Sequence, residues 1–315
     1  HFPALYRAGF RESLLNPRWL THGVYQLLYS ATLKEAKGVL SWNDVRAILK
    51  DRGIEDEQGN RLPYPEDKLD FLIRAMAEFK LCYPSPDASP NAAPNVTNPK
   101  WIVPDLLPSD QPEELGFKRT GALRFDFKFE SFLPRHVLGM FIVEHYRDIR
   151  NNQVWQHGVR LASRRWPGAE ALVRADYQSR VLKLAVAGDH VDSYFAILYD
   201  SLLGILERMP KLKHTQHLHL DESARIGERR AFPDDEAPTA NFATLLAHKV
   251  AGQGEFICEF GKYDLQKLLH LLQAKIDEDH PEPKTEGKAL EYWRKKLGDV
   301  ANLITLFTFF SALPR

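Results

Sequence analysis

The chain holds 315 residues, 44% of them apolar, so it can build real cores; wholesale disorder is excluded and the length fits two domains of average size. Its 42 basic and 42 acidic residues cancel, which argues against nucleic-acid binding by bulk electrostatics. The first structural signal is Asn16-Pro17, a helix start with a capping residue and a proline at the first helical position. Trp19, Val24, Leu27 and Leu28 then follow near a 3.6 period and give that helix one apolar face. Ser41 opens a second helix, with Asp44 three residues on as an approximate capping box and Val45, Ile48 and Leu49 as the buried stripe. Pro65-Glu66-Asp67 opens a third, whose inner face carries Leu69, Leu72, Ile73, Met76 and Phe79. The segment 84–100 holds five prolines among Ser, Asn and Ala and reads as a surface loop. Trp101–Val103 reads as a short strand stopped by Pro104. Three helices and a short β-element predict a winged-helix-like bundle.

The polar run Ser109–Gly121 is the expected boundary, giving a mainly helical N-terminal domain over 1–116 and a second domain over 117–315. Leu123–Phe129 alternates strictly, with Leu123, Phe125, Phe127 and Phe129 on one face and Arg124, Asp126 and Lys128 on the other: a half-buried strand. Pro134 starts a helix through about Arg147, with Val137, Leu138, Phe141, Ile142 and Tyr146 inward and His145 expected to face solvent. Val154–Ala162 reads as one strand, and Ala171–Tyr177 with Arg180–Ala187 as an antiparallel pair. His190–Arg208 reads as a long amphipathic helix, Leu212–Leu220 as a strand and Glu222–Pro238 as a loop. A strand at Gly254–Phe260, a helix at Asp264–Lys275 and a C-terminal helix at Lys284–Leu313 complete the pattern. The class is α+β: a mostly antiparallel sheet with helices on one face, behind a helical N-terminal subdomain.

Chemical motifs are scarce. Cys82 and Cys258 form no metal spacing; Cys82 reads as a small buried hydrophobe, and the pair fits a reducing, cytoplasmic setting. Asn95-Val96-Thr97 matches a glycosylation sequon, which has no consequence there. The apolar run Val300–Leu313 is interrupted by Asn302, Thr305, Thr308 and Ser311 and is too short to span a bilayer, so no membrane span is expected. No phosphate-binding loop occurs. Its nearest approximation, Gly254–Tyr263, has its glycines too far apart and Tyr263 where a magnesium-binding Ser or Thr would stand, so a strand-to-helix turn is expected. His217, His219 and Asp221 share one face of a strand, a geometry metals can use; the plainer reading is an exposed face running into a polar loop. No nucleophile stands near a recognisable base, so no catalytic residue, cofactor site or metal site is assigned. Phe125, Phe127 and Phe129, like Phe307, Phe309 and Phe310, read as core.

The order of phrases resembles the COR domain, which follows the Roc GTPase domain in Roco proteins. The likeness rests on Asn16, Pro17, Trp19, Thr21, Gly23, Val24 and Tyr25, then Gly38, Leu40, Ser41, Asp44 and Val45. Phe79, Leu81, Cys82 and Tyr83 follow, then Val103 to Pro108, and it covers roughly residues 15–200. A complete domain would have more helix before Leu15 and the chain begins at His1, so an excised piece of a longer, prokaryotic chain is expected. The resemblance implies a module that is not itself an enzyme. It would dimerise through its second half and contact the Roc GTPase domain of the same chain, coupling nucleotide state to dimerisation and GTP hydrolysis. GTP or GDP and magnesium would sit in that upstream domain, and leucine-rich repeats are expected in the parent. The family's GTPase contact runs near Phe141–Val159, where Tyr146 and Trp155 are the large amphipathic residues; the alternative is that both fill the core. Leu303, Leu306, Phe307 and Phe310 are candidates for a dimer or packing face. The competing class is a winged-helix nucleic-acid-binding protein with an oligomerisation domain. Against it, the third helix carries Lys68, Arg74 and Lys80 beside Asp67, Asp70 and Glu78.

Overall fold

The computed structural model describes residues 17–55, 57–86, 98–117, 121–228, 230, 232 and 237–273. Eight α-helices and fifteen strands occur among them. They fall into two compact units: 1–113 with 134–159, and 114–133 with 160 onward. The helix and strand that follow Pro134 therefore pack within the first unit.

In the first unit α1 (Pro17–Leu28) buries Leu20 and Leu27. Tyr64 locks onto it: its hydroxyl donates to the Trp19 carbonyl at 2.9 Å, and Trp19 Nε1 donates to the Pro63 carbonyl at 2.8 Å. Gly23 makes this possible, because a Cβ there would come within 2.8 Å of the Tyr64 ring. After α2 (Ala31–Glu35) and β1 (Val39–Ser41), Ser41 caps α3 (Trp42–Leu49). The box is complete, with Asp44 N donating to Ser41 Oγ at 3.2 Å and Ser41 N donating to Asp44 Oδ2 at 2.9 Å. Strands β2 (Gly53–Glu55) and β3 (Arg61–Pro63) form a hairpin that leads to α4 (Glu66–Glu78). Leu69, Leu72, Ile73 and Met76 of α4 are buried against α1 and α3. Strand β4 is Tyr83–Pro84 and β5 is Lys100–Ile102; a three-stranded sheet orders them β1-β5-β4. Cys82 lies fully buried beside it, with its thiol pKa pushed up to about 12 by desolvation, as befits a packing residue.

The second unit is built on β6 (Leu123–Phe129), residues 160–162 of β8 (Gly158–Ala162), β9 (Glu170–Asp176), β10 (Val181–Ala187), β11 (His214–His219) and β13 (Thr239–Asn241). Their order is β13-β11-β6-β10-β9-β8. One face carries Phe125, Phe127, Leu182, Leu184, Val173 and Leu218, all buried. Helices α6 (Val191–Glu207) and α7 (Phe242–Val250) cover it. Phe125 sits at the centre, with the rings of Phe127, Phe195, Tyr199 and Phe242 each 5.2–5.5 Å away. A smaller sheet follows, ordered β12 (Arg225–Ile226), β15 (Gly261–Asp264), β14 (Glu255–Cys258), and leads into α8 (Leu265–Gln273). No helix among the described residues is long and apolar enough to cross a membrane.

The structure corrects three sequence expectations. The segment 154–162 is the end of one strand, β7 (Ile149–Trp155), and the whole of the next, broken by a turn at Gln156-His157, a pair that lacks the Asn-Gly or Asp-Gly signature of a two-residue hairpin. Gly261-Lys262 is not a strand-to-helix turn but the start of β15, paired with β14 in a hairpin. His145 does not face solvent: its Nε2 is buried without a hydrogen-bond partner, its ring lies 4.6 Å from Phe141, and desolvation lowers its pKa.

Candidate interaction surface

Helix α5 (Arg135–His145) presents Val137, Leu138, Phe141 and Ile142 inward at helical spacing. Beneath it lies the short 3-10 turn Pro104–Leu106, and the two come close because residue 139 is glycine. A Cβ there would meet Asp105 Oδ1 at 2.5 Å. Burial raises the Asp105 pKa, with His136 and Arg135 opposing the shift. Gln156 closes the arrangement, donating from its backbone to the Pro108 carbonyl at 2.8 Å and from Nε2 to the Asp105 carbonyl at 2.7 Å. The phrase Val103–Pro108 is thus held by α5 and by the turn after β7.

Tyr146 ends α5 and enters a second 3-10 turn, Tyr146–Asp148. It is half-buried, and its ring stacks on Tyr83 with centroids 5.3 Å apart at 25°. Arg147 lies over the Tyr146 ring at 5.6 Å and its Nε donates to the Tyr146 hydroxyl at 3.0 Å. Tyr83 is 1% exposed, its hydroxyl is buried without a partner, and desolvation raises its pKa. The resulting Tyr83–Tyr146–Arg147 stack runs from the interior to the surface.

Trp155 ends β7, some seven residues of extended strand from Tyr146, or roughly 20 Å. It is 3% exposed and lies under Gly158, where an added Cβ would sit 2.7 Å from Cη2 and 2.8 Å from Cε2 of the indole. The two residues are therefore not one patch, and Trp155 offers a partner little area. Leu303, Leu306, Phe307 and Phe310 lie outside the described residues.

In the second unit the sheet face away from α6 and α7 is polar. Its central row runs Arg174, Lys183, Asp126, His217, Asn241 across five strands. Asp126 is only 6% exposed and lies 3.1 Å from His219 Nε2. His217 titrates at about 4 because burial, and then Lys128, oppose its charged form more than Asp126 favours it. The possible metal face does not assemble: Asp221 uses Oδ1 to accept from Ser223 N at 2.7 Å, and no group of three His, Cys, Asp or Glu among the described residues could hold a metal ion. Tyr263 is likewise committed to structure. Arg225 donates to its hydroxyl at 2.6 Å and to both carboxylate oxygens of Glu222, at 2.6 and 2.7 Å, tying β12 to β15. Sequence reasoning missed Tyr83, Asp105, Gln156 and Arg225 as organising groups, because each acts through a neighbour distant in sequence.

Fold and polar geometry define a mixed α+β chain whose conspicuous side chains hold elements together and present aromatic and charged surface. Within that class the comparison is specific. The COR-A domain family (C-terminal of Roc) matches residues 6–107 and the COR-B domain family (C-terminal of Roc) matches residues 120–277, so the chain belongs to the COR domains of Roco proteins. No individual curated protein matches it.

Proposed function

We propose that this chain is the regulatory and self-association module of a Roco GTPase, coupling the nucleotide state of the upstream Roc domain to dimerisation and GTP hydrolysis. The observation that carries the reading is the ordered pair of matches, COR-A over 6–107 and COR-B over 120–277. In this reading the nucleotide and its magnesium belong to the Roc domain, and the protein works in the cytoplasm. Its partners are a second copy and the Roc domain of its own chain. Such coupling needs a surface that responds when switch loops order or relax, and a self-complementary patch on the order of 1,600 Å². Residues 117–315 would supply the patch and the first domain, 1–116, the support for the GTPase contact.

Tyr146 with Arg147 is the part of that contact we favour, since an aromatic held from behind by Tyr83 can anchor a partner at little entropic cost. A nucleic-acid role is not favoured: the chain carries no net charge, and Asp70 on α4 pairs with Arg74 at 2.8 Å. Light scattering across a range of micromolar concentrations tests self-association, and a monomer mass throughout would defeat that half of the reading. Pull-down of purified Roc domain, compared between GDP and a GTP analogue, tests the other half. Equal capture in both states would reject coupling.

A further inference from the structure

The outward side of α1 does not look like a solvated helix face. Its inward side is occupied by Leu20, Gly23 and Leu27, so positions 25 and 29, one turn apart, point away from the core. Both are tyrosines, 53% and 79% exposed, with parallel rings 5.5 Å apart at 20°. A surface helix ordinarily places charged or small polar residues there, because ordering two large amphipathic rings against water contributes little to folding.

These rings form one wall of a groove of about 690 Å³ whose opposite side is Ala47, Ile48, Lys50 and Arg52, from α3 and the turn after it. Two polar side chains along the tyrosine wall are already engaged. Ser30 Oγ donates to the Leu27 carbonyl at 2.9 Å and accepts from Leu33 N at 3.2 Å, while Gln26 Nε2 lies 3.2 Å from His22 Nε2. What remains for recognition is two tyrosines, the exposed Thr32, a small apolar floor at Ala47 and Ile48, and two cations. Lys50 and Arg52 are both exposed, and neither has an acidic partner among the described residues.

We propose that this groove of the first unit docks an extended, proline-containing peptide with an acidic flank. Proline rings pack on tyrosine faces, and a polyproline II segment loses little conformational entropy on binding. Its carbonyls, unpaired within the peptide, are acceptors for the tyrosine hydroxyls. Ala47 allows the peptide backbone to approach closely. The charge of Lys50 and Arg52 selects carboxylates at one end and rejects a basic flank. Single-stranded nucleic acid also uses aromatic platforms beside cations, but it needs a run of cations along its backbone, and Lys50 and Arg52 are the two that line this groove.

The test uses the whole 315-residue chain and a fluorescein-labelled synthetic peptide of alternating leucine and proline ending in two glutamates, read by anisotropy. Saturable binding is expected. It should weaken roughly tenfold when the glutamates become lysines or the prolines become alanines, and by a similar factor for Tyr29→Ala and for Lys50→Glu with Arg52→Glu. All three substituted positions are exposed, so unchanged melting of each variant shows that the loss is local. Absence of saturation with the parent peptide overturns the proposal. So does binding insensitive to these changes. An oligothymidylate that binds at the groove with Tyr29 dependence, where the peptide does not, would assign the surface to nucleic acid instead.

Discussion

Whether Trp155 is a packing residue or a partner anchor can be decided by pairing it with Gly158. Trp155 is 3% exposed, so Trp155→Ala removes a filled indole site and should cost about 3–5 kcal/mol. Gly158→Ala acts from the opposite direction. The new methyl would sit 2.7 and 2.8 Å from two indole carbons, with Cζ2 closer still, so the ring must shift within a packed site. Overpacking of this kind typically costs about 1–3 kcal/mol. With the indole removed the same methyl has room, so the second substitution should add almost nothing, and could recover some of the lost contact. The double variant should therefore be less destabilised than the sum of the singles by about 1–3 kcal/mol. Urea unfolding, with the slope checked for constancy across the four proteins, measures that difference. Additive losses would refute the packing geometry. A Trp155→Ala variant as stable as the parent would refute interior burial altogether and return the indole to the partner surface.

Three further outcomes follow. Tyr146→Ala should cost about 1–2 kcal/mol, less than a fully buried aromatic because the ring is half-buried, and should also weaken association with the Roc domain; a large loss of stability with unchanged association would remove it from the contact. Ser41→Ala breaks the reciprocal cap with Asp44 and should lower stability by about 1 kcal/mol in thermal melts, with Asp44→Ala giving little more in the same background. His217, with its pKa depressed to about 4, stays neutral in the fold but takes up a proton near its ordinary value once unfolded. Its stabilising effect is thus complete above about pH 6.5 and is lost as pH falls from there towards about 4. Parallel denaturation of the parent and His217→Gln over that range should show the parent's extra decline, and superimposable profiles would reject the assignment.

Local patterns made much of the fold legible. The Ser41–Asp44 box, the proline at the start of α1 and the alternation of 123–129 each express a constraint satisfied within a few residues: a cap needs its own first turn, and a half-buried strand needs a period of two. The phrases that resemble the COR family are of this kind, and the family matches agree with them. Tertiary structure alone decided what required a distant partner. Local pattern could not place the reversal at Gln156-His157, because that pair is not one of the Asn-Gly or Asp-Gly turns that announce a two-residue hairpin. His145 stands one turn beyond Phe141, on the face that the apolar spacing turns inward; only its polar type suggested solvent, and its ring packs against Phe141 with Nε2 buried. Asp126, set by alternation on the open side of β6, lost its exposure to a histidine brought alongside from β11, more than 90 residues later. The aromatics at 83 and 146 were each visible in the sequence. Only the packing of α5 within the first unit stacked one on the other, because ring stacking depends on through-space distance and carries no sequence period.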